Sequence, residues 1–149
     1  MTEQPTPPAA EIRKVHRSAV AANRRRGGDL RVLLSPKTVA ATSGFFGTLE
    51  LKPGEVVTEH YHPYSEEFLY VISGALRLRL DGVQVLELGP GDGVMIPKNI
   101  RHRLENGLDS DAHCVFHLSP LAPRPELGHV DTEPVPVPAS PTVQVGGTQ

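Results

Sequence analysis

The sequence predicts an all-β fold, a single-domain barrel or sandwich built from short antiparallel strands. Short apolar or alternating segments follow one another at close spacing, with turn-forming residues between them. The chain has 14 glycines and 15 prolines but only 5% aromatic residues, a balance that suits many strands and many turns. Only residues 11–22 carry a weak helical period, and 149 residues suffice for one buried core.

The predicted strands are bounded by turn residues. The clearest strand covers residues 76–80, where leucines alternate with arginines, as expected for an antiparallel strand with one buried face. Asp81 and Gly82 then predict a tight hairpin. In chain order, the predicted strands cover residues 30–34, 38–42, 45–51, 55–62, 67–72, 76–80, 83–88 and 94–96, a segment that contains His102, and residues 113–118.

The chain is expected to have three parts: a basic, partly disordered arm over residues 1–27, a barrel over residues 28–121 and a proline-rich extended tail over residues 122–149. No aromatic residues are interleaved with the arginines of the arm for base stacking, and the net charge of the chain is −2. The arm is therefore interpreted as a solvated segment that could lie across a partner subunit, and no nucleic-acid partner is expected.

Neither secretion nor membrane insertion is predicted. No apolar run approaches the roughly 20 residues of a membrane-spanning helix, and residues 1–14 lack the apolar stretch of a secretory signal. Cys114 is the only cysteine, so no disulfide can form within the chain. These features predict a reducing, cytoplasmic setting.

Histidines and a glutamate from two separate stretches predict a metal site. His60 and His62 stand two residues apart in a predicted strand, so both imidazoles point to the same face. Glu67 opens the next strand, and strand alternation turns the neighbouring Glu66 to the opposite face. Together with His102, these residues offer three imidazoles and one carboxylate, a ligand set that suits zinc, iron, manganese or nickel.

The two stretches resemble the paired motifs of the cupin superfamily. Residues 54–74 match the first motif, Gly-x5-His-x-His-x4-Glu-x6-Gly, with every spacing met. Residues 91–106 match the second motif, Gly-x5-Pro-x-Gly-x2-His-x3-Asn, except that Asn99 stands where the family usually has glycine. Asparagine tolerates a positive φ well, so the turn is expected to survive. The resemblance implies a cupin jelly-roll barrel whose metal ligands are His60, His62, Glu67 and His102.

A closer resemblance indicates a function. Residues 60–74, the sequence around His102 and residues 119–134 are similar to single-domain cupins of aromatic polyketide biosynthesis in actinomycetes, of the tetracenomycin, resistomycin and spore-pigment type. That group is implicated in cyclising poly-β-ketone chains. The resemblance implies an enzyme that performs Lewis-acid enolisation and aldol-type ring closure on a small-molecule polyketide, with polyketide synthase components as candidate partners. Zinc is the expected ion, because no redox change is needed, and Fe²⁺, Mn²⁺ and Ni²⁺ are the other candidates.

Two other functions stay open. The same ligands serve iron well, so an iron-dependent oxygenase acting on a phenolic or quinoid substrate is one alternative. A non-catalytic cupin that binds a small molecule is the other. In each case a homodimer is expected, because cupins commonly pair and the N-terminal strands leave a sheet edge to cover.

The lumen around the ion is expected to be apolar, since aliphatic side chains alternate into it. Such a pocket suits an organic substrate with carbonyl or enol oxygens. The residues expected to line it are Leu69, Val71, Leu76, Leu78 and Leu80.

The last predicted strand leaves the position of its histidines open. His113 and His117 share one face, while Cys114, Phe116 and Leu118 share the other. Hydrophobic patterning favours the apolar face inside, with Cys114 as a small buried hydrophobe. In the alternative, His117 enters the lumen and is the candidate catalytic base, or an extra ligand that displaces Glu67.

Overall fold

Two antiparallel sheets of five strands each form the molecule, and this confirms the all-β, jelly-roll prediction. The computed structural model describes residues 12–143, so residues 1–11 of the predicted arm and residues 144–149 of the predicted tail lie outside the described residues. The strands are β1 (Asp29–Leu34), β2 (Phe45–Leu51), β3 (Val56–Tyr61), β4 (Glu66–Ser73), β5 (Leu76–Leu80), β6 (Gln84–Leu88), β7 (Gly93–Ile96), β8 (His102–Glu105), β9 (Ala112–Ser119) and β10 (Val130–Asp131). Within residues 12–143, no helix has the length and apolar character needed to cross a membrane.

The sheets have the strand orders β1-β2-β9-β4-β7 and β10-β3-β8-β5-β6. Alternate side chains of each strand point between the sheets and form the core. Strand β9 shows this alternation throughout, because Cys114, Phe116 and Leu118 are buried while the residues between them are only half-buried. The core therefore lies in the space where the residues of the two sequence motifs can meet.

Two turns have the geometry that the sequence predicts. Asp81 and Gly82 have φ values of 49° and 74°, so they form the tight hairpin between β5 and β6. Asn99 has a φ of 67°, which shows that asparagine takes the left-handed conformation in place of the usual glycine. This turn leads the chain into β8 and places His102 at the first position of that strand.

The prediction of a strand over residues 38–42 is wrong. The short helix α1 (Pro36–Val39) covers the first two residues of this segment, Ala40 ends it in the left-handed conformation, and no strand forms between α1 and β2. The side chain of Ser35 accepts a hydrogen bond from the backbone N–H of Lys37, and the hydroxyl of Thr38 bonds back to the N–H of Ser35. Serine followed by proline is a helix-start signal, and the prediction of an extended run did not take it into account.

The arm and the tail are joined by hydrogen bonds beside β3. Strand β10 pairs with β3, beyond the barrel boundary predicted at residue 121. After β10, a segment that we call the strap (residues 132–143) lies against the arm. Arg25 donates hydrogen bonds to the carbonyls of Pro138 and Ser140 at 3.0 and 2.9 Å, and its own carbonyl accepts one from the N–H of Val137 at 3.2 Å. The arm and strap thus close one end of the barrel.

Candidate metal centre

Four side chains from the two motifs converge between the sheets. His60, His62, Glu67 and His102 each offer one ligand atom, and these atoms all lie within 4.8 Å of one another. His60 on β3 is the register partner of His102 on β8, and His62 follows directly after β3. Glu67 comes from β4 in the opposite sheet, and each of the four residues is less than 10% exposed. Both sheets therefore contribute ligand atoms to one buried point.

Backbone carbonyls orient the three imidazoles. The Nδ1 atoms of His60, His62 and His102 lie 2.7, 2.9 and 2.9 Å from the carbonyl oxygens of Thr58, Gly128 and Ile100, respectively. A carbonyl can only accept a hydrogen bond, so Nδ1 carries the proton in each ring. The Nε2 lone pairs are then free to bind a cation, and this is the tautomer that metal-ligating histidines require.

Glu67 completes a donor set that fits a divalent cation. Its Oε2 atom lies 2.9 Å from Nε2 of His102 and 3.4 Å from Nε2 of His62. Oε2 of Glu67 and Nε2 of His102 are both buried and have no hydrogen-bond partner. Buried polar atoms without partners are costly, and a cation between them would satisfy both. Imidazole and carboxylate donors suit zinc, iron, manganese or nickel.

The electrostatics of the cluster follow from burial and from its one carboxylate. Burial, followed by the charges of His102 and His62, lowers the pKa of His60 well below its usual value. Burial would raise the pKa of Glu67, but the two neighbouring imidazoles outweigh it and hold that pKa well below its usual value. For His102, the carboxylate of Glu67 outweighs burial and raises the pKa. A cation that binds at Nε2 of His102 therefore competes with a proton whose binding Glu67 favours.

An apolar cavity opens beside the cluster. Leu69 lines it, as predicted, whereas Val71, Leu76 and Leu78 lie in the hydrophobic core and are not among its lining residues. Leu80 is only partly buried against that core. The other apolar side chains that line the cavity include Leu30, Phe45, Leu49, Val57, Leu104, Phe116 and Leu118. The barrel is thus filled with side chains on one side of the cluster and hollow on the other.

Comparison with known proteins agrees with this geometry. The family model for the cupin domain matches residues 47–118. The chain is 52% identical over 138 residues to the tetracenomycin polyketide synthase protein TcmJ of Streptomyces glaucescens, which covers 93% of this chain and 92% of TcmJ. It is 60% identical over 111 residues to the polyketide synthase CurC of Streptomyces cyaneus, which covers 74% of this chain and 71% of CurC.

The chain belongs to the cupin family. Within that family, its relatives TcmJ and CurC are polyketide synthesis proteins. The fold of this cupin is similar to the solved structure of the polyketide cyclase RemF from Streptomyces resistomycificus, with a TM-score of 0.66, 21% identity, and coverage of 85% of this chain and 89% of RemF. A shorter match of 37% identity over 70 residues relates it to quercetin 2,3-dioxygenase of Bacillus subtilis, covering 47% of this chain and 19% of the dioxygenase.

The structure does not bring His117 to the cluster of this cupin. His117 lies on the outer face of its sheet, where its ring centroid is 6.3 Å from that of Phe68. Strand alternation is the reason, because Phe116 and Leu118 occupy the inward positions of β9. His117 therefore lies outside the lumen in which a base would have to act. Cys114 is fully buried, and burial raises the pKa of its thiol to about 12, so it is no nucleophile.

Two polar residues that the sequence interpretation left without a role line the same cavity, Arg26 and His129. Arg26 was assigned to a solvated arm, yet its side chain is only 9% exposed. His129 follows Gly128, whose carbonyl orients His62. Burial, and then the charge of Arg26, lowers the pKa of His129 to about 3, so it is unprotonated at neutral pH. The Gly27-Gly28 pair beside Arg26 was the one available signal that this end of the arm enters the fold.

Proposed function

We propose that this cupin is a metal-dependent enzyme of aromatic polyketide biosynthesis that cyclises a poly-β-ketone chain through enolisation and aldol-type ring closure. The observation that carries the proposal is a buried set of three imidazoles and one carboxylate beside an apolar cavity. Each imidazole bonds to a backbone carbonyl through Nδ1 and leaves Nε2 for a cation. Its similarity to TcmJ and CurC, named as polyketide synthase proteins, supports the pathway. The fold of RemF, named as a polyketide cyclase, is consistent with the reaction type.

The proposed ligands are His60, His62, Glu67 and His102. A divalent cation held by them would supply Lewis-acid polarisation of a ketone oxygen, which favours loss of a proton from the adjacent carbon. The chain itself supplies the remaining effects. The apolar walls exclude water and fold a flexible polyketone so that one pair of carbons meets among several possible pairs.

Zinc is the proposed ion, because ring closure requires no redox change. The proposed setting is the cytoplasm, where polyketide synthase components would deliver the substrate. The direct test combines elemental analysis of protein purified without added metal with an assay on a poly-β-ketone produced by a minimal polyketide synthase. Near-stoichiometric zinc and a new cyclised product, both lost together after chelation, are expected. A product spectrum that is unchanged by the metal-loaded protein would refute the proposal.

The proposed ligand set has its own test. His60→Ala and His102→Ala are each expected to weaken zinc binding by more than about 100-fold while the far-UV circular dichroism keeps its β-sheet form, because each removes a ligand. His117→Ala is the matched control, since it removes a half-buried histidine from the outer face of a strand in the same molecule. Zinc binding measured by competition with a chelator decides the matter. Equal affinity in His102→Ala and His117→Ala would contradict the ligand assignment.

An iron-dependent oxygenase is the second candidate function, and the partial similarity to quercetin 2,3-dioxygenase favours it. The same donor set holds iron well. Stoichiometric iron in the purified protein, together with oxygen uptake on a phenolic or quinoid substrate, would establish this function in place of the cyclase. Retained small-molecule affinity without any tightly held metal would instead indicate a non-catalytic binding protein.

A further inference from the structure

Arg26, which lines the cavity, has a buried hydrogen-bond donor without a partner. The guanidinium donates from Nε to Oδ1 of Asp131 at 2.6 Å. Its Nη2 atom is buried and has no hydrogen-bond partner. The side chain is more than nine-tenths buried and lines the same cavity as the metal cluster. A buried cationic donor without a partner is costly, so such a group points to an oxygen that arrives with a ligand.

The backbone fixes Arg26 beside the metal cluster. The carbonyl of Arg26 accepts a hydrogen bond from the N–H of Thr58 at 3.0 Å, and the carbonyl of Thr58 in turn bonds to Nδ1 of His60. Asp131, which orients the guanidinium, is the register partner of His60 in the pairing of β10 with β3. Two of the groups that hold Arg26 therefore also hold the strand that carries His60.

Gly27 is part of this arrangement. Its φ is +105°, and a Cβ atom there would lie 2.0 Å from the carbonyl oxygen of Val56. The arm can therefore approach β3 closely only with glycine at this position. The close approach directs the Arg26 side chain into the barrel instead of into solvent. By contrast, Arg24, two residues earlier in the arm, has a side chain that is 52% exposed and pairs with Asp29.

We propose that Arg26 is a substrate-positioning residue, whose free Nη2 donates a hydrogen bond to a second ketone or enol oxygen of the chain bound at the metal centre. The inference relies on the proposed function for the substrate class, a chain with oxygens on alternate carbons. Contact at two points sets the register of that chain in the cavity. The register decides which carbons meet, so Arg26 would determine which ring closes.

The test uses two ligands of equal length with the zinc-loaded protein. Heptane-2,4,6-trione carries one more oxygen than heptane-2,4-dione, and calorimetry gives the affinity of each. The wild type is expected to prefer the trione by about tenfold or more, as for a hydrogen bond from a charged donor. Arg26→Gln should reduce this preference to within about twofold at unchanged zinc content. Arg26→Lys should act similarly, because its single nitrogen is taken up by Asp131. Arg24→Gln, the matched control in the same arm, should retain the full preference.

The ratio of the trione affinity to the dione affinity shows whether Arg26 positions the substrate or has only a structural role. If Arg26 only held the arm, its removal would weaken both ligands equally and leave the ratio intact, and this result would overturn the proposal. A wild type without preference for the trione would overturn it as well. Ring closure is assayed separately. If the wild type prefers the trione and Arg26→Gln loses that preference, but no ring closes, only the proposed reaction is refuted. If a ring closes but Arg26→Gln keeps the preference for the trione, only the role of Arg26 is refuted.

Discussion

At the residue scale, the chemistry of the centre depends on backbone groups that hold side chains in one orientation. His60 and His102 each bond through Nδ1 to the carbonyl two residues earlier in the chain, at Thr58 and Ile100. These contacts are local, so the tautomer of each ring is set as soon as its strand forms. His62 is held differently, by the carbonyl of Gly128 near the end of the chain. The centre is therefore complete only when the C-terminal segment has docked.

His129 predicts how the stability of the metal-free protein depends on pH. Its pKa is lowered to about 3 by burial and by the charge of Arg26, with His62 and Arg25 acting in the same direction and Asp131 opposing them. An unfolded histidine has a pKa near 6.5. Between these values the unfolded state binds more protons than the folded state, so the free energy of unfolding falls as the pH falls. The contribution is up to about 1.4 kcal/mol per pH unit.

Urea unfolding of chelator-treated protein between pH 6.5 and pH 5 measures this slope. Glu67 adds only a small slope at the lower end of that window, because the ordinary pKa of its carboxyl is 4.5 and the folded value is lower still. His129→Gln should have a slope smaller by about one proton than the wild type. His16→Gln, which removes an exposed histidine from the arm, should keep the wild-type slope. Identical slopes in all three proteins would show that His129 titrates normally.

The cluster residues were predictable from the sequence, but Arg26 was not. His60, His62, Glu67 and His102 occupy fixed positions in two spaced motifs, and strand alternation separates Glu67 from Glu66 without any knowledge of the fold. Arg26 stands in a segment of six lysines and arginines, of which three are exposed and two are half-buried. Its burial depends on Asp131, 105 residues away, and no local pattern reports a contact over that distance.

At the element scale, the strap connects the end of the chain to the wall of the cavity. Asn23 donates from Nδ2 to the carbonyl of Pro141 at 3.1 Å, and Arg25 binds two further carbonyls of the strap. Val143 at the end of the strap lines the cavity itself. Because proline-rich chain has few internal hydrogen bonds, these contacts with the arm are what keep the strap in place.

Deleting residues 134–149 is expected to loosen the arm while the barrel stays folded. The deletion removes every strap contact of Arg25 and Asn23 but keeps β10 and the bond from Arg103 to Glu133. Amide hydrogen exchange of residues 23–28 should then become faster by about tenfold or more, while β4 and β9 keep their protection. A protein that ends at residue 143 retains all described contacts and is the control. Unchanged exchange in residues 23–28 would show that the strap does not hold the arm.

The strands were easier to predict than the segments between and after them. Alternation at residues 76–80 and 113–118 matches β5 and β9 within one residue at each end, because a half-buried strand requires that period. The helix α1 has only four residues, too few for an apolar period to show. Strand β10 has two residues, and it forms because β3 presents a free edge and not because of its own composition.

At the scale of the whole molecule, each of the two sheets contributes part of the ligand set. The three histidines lie on or beside strands of the β3–β8 sheet, whereas Glu67 comes from the other sheet. Any change in the spacing of the sheets therefore changes the distance between the imidazoles and the carboxylate. The filled side of the barrel, with Leu51, Val71 and Leu78 fully buried, keeps that spacing constant. A rigid core thus holds the ligand atoms ready for an ion.

The expected homodimer needs a different surface from the one that the sequence suggested. The free edge of β1 is covered by the chain's own arm, since Asn23 bonds to the carbonyl of Leu30 and Arg31 binds the carbonyls of Arg17 and Val20. The outer face of β4 and β7 offers an apolar surface instead. Four neighbouring side chains there are 42–48% exposed: Phe68, Tyr70, Ile72 and Met95.

The area of this face matches what one half of a symmetric dimer requires. Four such side chains expose about 350 Å² together, if a fully exposed large side chain offers about 200 Å². A standard interface covers about 800 Å² per partner, of which about 60% is apolar, so this face supplies most of the apolar part. A two-fold axis places the same patch on itself. Among residues 12–143, no aspartate, glutamate, lysine or arginine lines the groove between Phe46, Tyr70 and Met95.

Light scattering at micromolar concentration should therefore give twice the chain mass of 16.1 kDa for the wild type. Phe68→Glu and Tyr70→Glu should give the monomer mass with unchanged zinc content, because each places a charge at the centre of the apolar face. Val83→Glu is the control, since Val83 is an 85% exposed side chain at the hairpin outside this face. A wild-type monomer would refute the homodimer, and a dimer that persists in Phe68→Glu would move its interface elsewhere on the surface.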